Sequence, residues 1–142
     1  MDRTARATPQ SDGWNHQFAQ VNGIDVHYVR EGHGMPLFVI HGWPEFWWSW
    51  HRNIPVLAQQ FDVVAPDLRG FGQSEKPAGS AFESYDFHHH VADIIALADH
   101  LGWACFGIAT HDVGAGISQM LAREHPDRLI GLFLFNGAYP GV

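Results

Sequence analysis

The chain has 142 residues, 46% of them apolar, which fits one domain with a real core rather than a disordered tail. With 8 basic against 15 acidic side chains the net charge is -7, and no run of Lys or Arg forms the basic stripe that nucleic acid or an anionic membrane surface requires. The single cysteine, Cys105, excludes an internal disulfide and suits a reducing compartment.

The opening "MDRTARATPQSDGW" is polar and lacks the apolar core of a secretory signal, so residues 1–15 are expected to be a disordered tail. No apolar run approaches the roughly 20 residues of a membrane helix, and the expected setting is cytoplasmic. Residues 16–142 read as one unit. "HQFAQVNGIDVHYVREG" predicts two strands around a "VNG" turn, with Ile24, Val26 and Tyr28 alternating with polar neighbours, as in an antiparallel pair at a sheet edge. "PLFVIHG" is continuously apolar, as a strand covered on both faces must be. A loop and a helix follow in "WPEFWWSWHRNIPVLAQQF", with Pro55 in the first helical turn. Asp62 to Pro66 predicts a second buried strand, running into a loop that holds Gly70, Gly72 and Pro77.

"SYDFHHHVADIIALADHLGW" predicts a helix capped by Ser84, buried along Val91, Ile94, Ile95, Ala98 and Leu101, and ended by Gly102. "CFGIATHD" is the next buried strand, with Cys105 as a small inert hydrophobe at its start. "VGAGISQMLAREH" is a helix halted by Pro126, and "RLIGLFLFNGAYPGV" is a last strand and short tail. Strands alternating with helices from Pro36 onward imply right-handed crossovers and a parallel, three-layer α/β sheet with the N-terminal strands antiparallel at its edge.

In such a sheet chemistry collects at the carboxyl ends of the strands, where three loops emerge: "HGWP", "DLRGFG" and "THDVGAG". Asp112 lies on the tightest. A sharp strand-to-helix turn demands a residue that tolerates positive φ and small neighbours, and Gly114, Ala115 and Gly116 supply the latter. The turn lifts the Asp112 side chain clear of the sheet and aims the Val113 N–H at it, with the Trp43 N–H of "HGWP" placed to complete an oxyanion hole. A carboxylate in that position suits displacement at saturated carbon, which leaves an ester that water must then hydrolyse. The plainer alternative makes Asp112 only a helix N-cap.

These residues carry a family resemblance. "HGWPEFWWSW", "APDLRGFGQSEKP" and "THDVGAGISQMLAREHPDRL", in this order, resemble the N-terminal part of an α/β-hydrolase of the epoxide hydrolase and haloalkane or haloacid dehalogenase branch. The resemblance implies Asp112 as nucleophile, Trp43 and Val113 as backbone oxyanion donors, no cofactor and no metal, and a small apolar epoxide or halogenated substrate. "HGWP" followed by aromatic residues favours the epoxide side, and Val113, where Trp is frequent, cannot hold halide through its side chain. Thr110 stands where Gly is usual. The family continues into a lid, two further strands, an acid and a late catalytic His, so the expectation is a sheet truncated before the lid, without the general base, its acid partner or the lid tyrosines. The leading reading is therefore an incomplete epoxide hydrolase-like enzyme. The alternatives are a non-catalytic remnant or binding module, a dehalogenase, and, least favoured because Asp replaces Ser, an esterase. A complementing C-terminal half or self-association through the apolar "LIGLFLF" edge is expected.

Other polar residues have structural expectations. His41 and His111 are expected to make hydrogen bonds beneath the site, and Asp67 and Arg69 to tie their loop together. "HHH" at 88–90 cannot converge on one ion, because consecutive helical residues point about 100° apart. Asp86, His90 and Asp93 share a face, expected to be solvated.

Overall fold

The computed structural model describes residues 12–137, and the side chains of all of these except 81 and 82. Of the tail expected over 1–15, residues 1–11 lie outside the described residues, as do residues 138–142 of the expected C-terminal tail. Residues 12–15 are anchored: Asp12 accepts the Trp14 N–H, and the Trp14 ring packs edge-on against Trp47 with centroids 5.2 Å apart.

Six strands form one sheet. They are β1 (His16–Val21), β2 (Ile24–Gly32), β3 (Met35–Ile40), β4 (Phe61–Pro66), β5 (Phe106–His111) and β6 (Leu129–Phe135), in the order β1-β2-β4-β3-β5-β6. β1 and β2 pair antiparallel, β2 meets β4 antiparallel, and β4, β3, β5 and β6 run parallel. The three continuous apolar runs of the sequence are thus the three central parallel strands. Their side chains serve both faces. Phe38, Ile40, Val64 and Ile108 pack beneath α3 (Phe87–His100) and α4 (Val113–Glu124), against Val91, Ile94, Leu97, Ile117 and Leu121. Val39, Val63 and Ala65 point the other way, against Trp47 and Ile54. Each fully buried aliphatic side chain of this kind contributes about 1.5–3 kcal/mol.

The second face is thinly covered. The helix expected after Pro55 is a single turn, α1 (Ile54–Leu57), preceded by a 3₁₀ turn over Trp47–Trp50. Another short helix, α2 (Ala81–Ser84), precedes α3, and this corrects the expected cap. Ser84 belongs to α2 and its hydroxyl donates to the Ala78 carbonyl; Asp86, extended at φ -69 and ψ 168, caps α3 by accepting the His89 N–H at 2.9 Å. At the other end Gly102, at φ +75, closes α3 through Gly102 N–H to Asp99 O and Trp103 N–H to Ala98 O, the paired bonds of a Schellman cap.

Two further expectations are overturned. The face with His90 and Asp93 is not solvated: both residues are buried, because the loop after β4 folds over it and brings Arg69 onto Asp93. Cys105 is exposed and precedes β5. β6 forms as expected and pairs with β5, leaving Ile130, Phe133 and Phe135 more than half exposed.

Candidate active site

β5 turns into α4 at one residue. Asp112 sits there at φ 54 and ψ -127, a backbone conformation in the left-handed half of the map. Small residues make the turn feasible. A Cβ on Gly114 would stand 2.9 Å from the His41 carbonyl oxygen and 3.0 Å from Ile40, so only glycine lets the first turn of α4 rest against the end of β3. A Cβ on Gly116 would meet the Phe87 ring at 2.6 Å. One layer down, the hydroxyls of Thr110 and Ser118 pair at 3.1 Å, so the β-branched residue two before the turn pins β5 to α4.

The turn exposes the Asp112 carboxylate and points it at the loop after β3. Its Oδ1 accepts the Trp43 N–H at 2.9 Å and the Val113 N–H at 2.7 Å. These two amides, Trp43 first, hold the carboxyl below the usual Asp range, so it is ionised at neutral pH. Among the described residues Oδ2 accepts no hydrogen bond. One oxygen is thus held by two backbone donors, and the other has no hydrogen-bond partner among the described residues. The three sequence-predicted residues, Trp43, Asp112 and Val113, come together in this one arrangement.

The supporting shell ties the three loops to one another. His41 is fully buried. Its Nδ1 donates to the Gly42 carbonyl at 2.7 Å and its Nε2 accepts the Leu68 N–H at 3.0 Å, and burial pushes its pKa down, which keeps this neutral form. His41 therefore joins the Trp43 loop to the loop after β4. That second loop is held in turn by Asp67, which accepts from Trp47 N–H at 2.8 Å, Gln73 N–H at 2.9 Å and His27 Nδ1 at 2.7 Å. Arg69 donates Nε and Nη2 to Asp93, both at 2.6 Å, and Nη1 to the Ser84 carbonyl. With every one of these groups engaged, Asp67 and Arg69 act on the loops.

Glu45 was not singled out by the sequence pattern. Its Oε2 accepts the Gly42 N–H at 2.9 Å and stands 2.9 Å from His111 Nε2, so it clamps the Trp43 loop onto the last residue of β5. The signal that could have found it is its spacing: a carboxylate three residues after a backbone N–H reaches back to it, as in a capping box.

Two hollows lie at this end of the sheet, one lined by Asp112 and the other by its two amide donors' residues, Trp43 and Val113. One, of about 390 Å³, is lined by Asp112, Val113, Gly116, Met120 and Phe87. The other, of about 500 Å³, is lined by Trp43, Phe71, Tyr85, His90 and again Phe87 and Val113. Among the described residues no group of three or more His, Cys, Asp or Glu is placed to hold a metal ion, and no helix is long and apolar enough to cross a membrane.

The geometry has close counterparts. Residues 35–140 match the family model described as alpha/beta hydrolase fold. The chain is 40% identical over 127 residues to the soluble epoxide hydrolase of Corynebacterium sp. (strain C12), covering 89% of this chain and 43% of the relative. It is 35% identical to epoxide hydrolase 4 of Mus musculus, covering 99% and 41%, and 33% identical to fluoroacetate dehalogenase of Burkholderia sp, covering 85% and 40%. The solved structure of epoxide hydrolase VrEH1 from Vigna radiata superposes with a TM-score of 0.81 at 35% identity, over 91% of this chain and 43% of that one. The chain spans about two fifths of the length of these relatives. The sheet order, the carboxylate at the strand-to-helix turn and these matches agree: the chain belongs to the alpha/beta hydrolase fold family.

Proposed function

We propose that this chain carries the nucleophile and oxyanion hole of an epoxide hydrolase-like enzyme, with Asp112 as the nucleophile. The observation that carries the reading is the division of labour within one carboxylate: Oδ1 is bound by the Trp43 and Val113 amides, and Oδ2 has no hydrogen-bond partner among the described residues. A plain N-cap needs one amide from its own helix; a second donor from a loop 69 residues earlier is what an oxyanion hole needs.

In the first step Asp112 Oδ2 attacks an epoxide carbon. The ring C–O bond breaks, its electron pair stays on oxygen, and that alkoxide takes a proton from a general acid, leaving an alkyl ester on Asp112. In the second step a deprotonated water adds to Cγ. Charge develops on Oδ1, already between the two amides, and collapse expels the diol while one water oxygen stays in the carboxylate. Loss of one such donor typically costs about 10²–10³-fold in rate. Opening a carbon–halogen bond would follow the same ester route. Val113 offers no side-chain donor for a leaving halide, so the epoxide reading is preferred.

The test is mass spectrometry of the Asp112 peptide after exposure to styrene oxide in ¹⁸O-water. The expected result is either the alkyl adduct or, after turnover, ¹⁸O in the carboxylate, with both lost in Asp112→Ala. Neither adduct nor label at Asp112 overturns the assignment.

A further inference from the structure

Outside the Asp112 site, Asp67, His27, His16 and Asp12 form one line of hydrogen bonds. Asp67 Oδ2 faces His27 Nδ1 at 2.7 Å, and His27 Nε2 faces His16 Nδ1 at 2.8 Å. His16 Nε2 then faces Asp12, at 3.0 Å from Oδ2 and 3.1 Å from Oδ1. The line runs outward from the interior: the side chains of Asp67 and His27 are 1% and 0% exposed, those of His16 and Asp12 7% and 37%. The sheet sets the middle of it. Phe18 stands opposite His27 in the β1–β2 register, so His16 is the diagonal neighbour of His27, and the two imidazoles stack with centroids 5.1 Å apart.

Both ends of the line can only accept. The Trp47 and Gln73 amides fix Asp67 as a carboxylate. Asp12 also takes the Trp14 N–H, and His16 first, then that amide, hold its carboxyl below the usual range. Between two acceptors, three hydrogen bonds need three ring protons, and two neutral imidazoles carry two. If His27 gives its proton to Asp67 and His16 gives its own to His27, the bare His16 Nε2 is left against a carboxylate. Starting from Asp12 leaves the same gap at Asp67. One further proton closes the line and makes the two rings a single shared cation. The other groups against these rings are the aromatic faces of Trp47 and Phe18. Charges on the adjoining segments are engaged elsewhere: Glu31 accepts the Asn15 N–H, Arg30 pairs with Asp62, and Glu75 accepts the Asp25 N–H. Buried His41, which faces Asp67 from the end of β3, is held neutral.

We propose that His16 and His27 form a pH-operated clasp, sharing one excess proton that ties Asp12, and with it Trp14, to the turn at Trp47. The proton belongs to the closed form, so the clasp is closed at low pH and opens as pH rises and the proton leaves. The break falls at Asp12. Buried Asp67 keeps its amide donors, whereas Asp12 is exposed enough to exchange His16 for water. When Asp12 swings away, the Trp14 N–H loses its acceptor. The Trp14 ring lies edge-on to both Trp47 and Trp48, with centroids 5.2 and 6.2 Å away, so the released group is an aromatic cover of the turn that follows the Trp43 loop.

The test is an NMR pH titration of the full chain labelled with ¹⁵N-histidine and ¹⁵N-tryptophan. The His16 and His27 ring nitrogens are expected to move in one common step, as coupled sites do, and the Trp14 backbone amide and indole resonances to shift with the same midpoint. Asp12→Asn is the discriminating variant. Its amide can keep Oδ1 on the Trp14 N–H and donate from Nδ2 to His16 Nε2, so the line closes with two ring protons and no charge. The common step should then fall by about one pH unit or more, and the Trp14 resonances should no longer follow it. Separate midpoints for His16 and His27, Trp14 resonances that ignore them in the parent chain, or a Trp14 transition that survives unchanged in Asp12→Asn would overturn the proposal.

Discussion

Gly42→Ala tests whether the two amides act on Asp112 as a pair. A Cβ at position 42 would lie 2.6 Å from Asp112 Cβ and 3.1 Å from both Cγ and Oδ1. Carbon–carbon contacts settle at about 3.5–4.0 Å, so the loop and the turn must separate by roughly 1 Å. Neither side yields easily: Gly42 N–H is held by Glu45, and Asp112 is fixed by the turn itself. The Trp43 N–H to Oδ1 bond, now 2.9 Å, would stretch past the hydrogen-bonding range, and only the Val113 amide would remain. Overpacking of this kind costs about 1–3 kcal/mol. The sharper readout is Asp112 itself, because the Trp43 amide is the larger of the two causes holding its carboxyl below the ordinary range. A ¹³C titration of the Asp112 carboxyl should therefore show its pKa rising toward the ordinary Asp value in Gly42→Ala. Gly131→Ala is the control, since nothing stands within 4 Å of a Cβ there, and it should leave the titration unchanged. A folded Gly42→Ala chain with an unshifted Asp112 would refute the reasoning.

Further outcomes follow from the same contacts. Asp93→Asn breaks a buried, bidentate pair and strands Arg69, so urea unfolding should show a loss of about 3–5 kcal/mol; an unchanged midpoint would mean the pair does not hold the loop. His90 is held neutral by burial, with a folded pKa lowered from 6.5 to about 4, so the unfolded chain binds a proton in that interval and the folded chain does not. Stability should be full above the ordinary His value and fall by up to about 3 kcal/mol as pH drops through this window, and His90→Phe should flatten that slope in melts across the range. Steady-state assay of the isolated chain with styrene oxide should show no more than about one equivalent consumed per chain, because both nitrogens of His41 are engaged and His111 Nε2 faces Glu45, and a general base contributes about 10²–10⁴-fold. Many turnovers, absent in Asp112→Ala, would assign His41 or His111 as the base.

Local pattern made much of the fold legible. A strand buried on both faces must be apolar throughout, so "FVI", "VVA" and "GIA" announced the three central strands without knowledge of their neighbours. The site was legible for a similar reason. A sharp strand-to-helix turn restricts one residue's backbone and its neighbours' size, and Asp112 followed by Gly114, Ala115 and Gly116 satisfies both within five positions. Where two residues could serve the same local purpose, the sequence did not choose: Ser84 and Asp86 are both good caps, and the fold uses Asp86 because a separate turn of helix claims Ser84.

The tertiary structure decided what depends on distant partners. Asp93 and His90 read as a solvated face because a charged residue on a helix is normally exposed; only the loop carrying Arg69, 24 residues earlier, makes that face an interior one. The sheet order, with β4 inserted between β2 and β3, likewise comes from which apolar faces close on each other. The bond from the Trp43 amide to Asp112 spans 69 residues, and Glu45 supports it from across the loop. Periodicity along a chain reports which side of an element is buried. It carries no information about which remote group will meet that side, and in this protein those remote meetings make the pair of amide donors around one carboxylate oxygen.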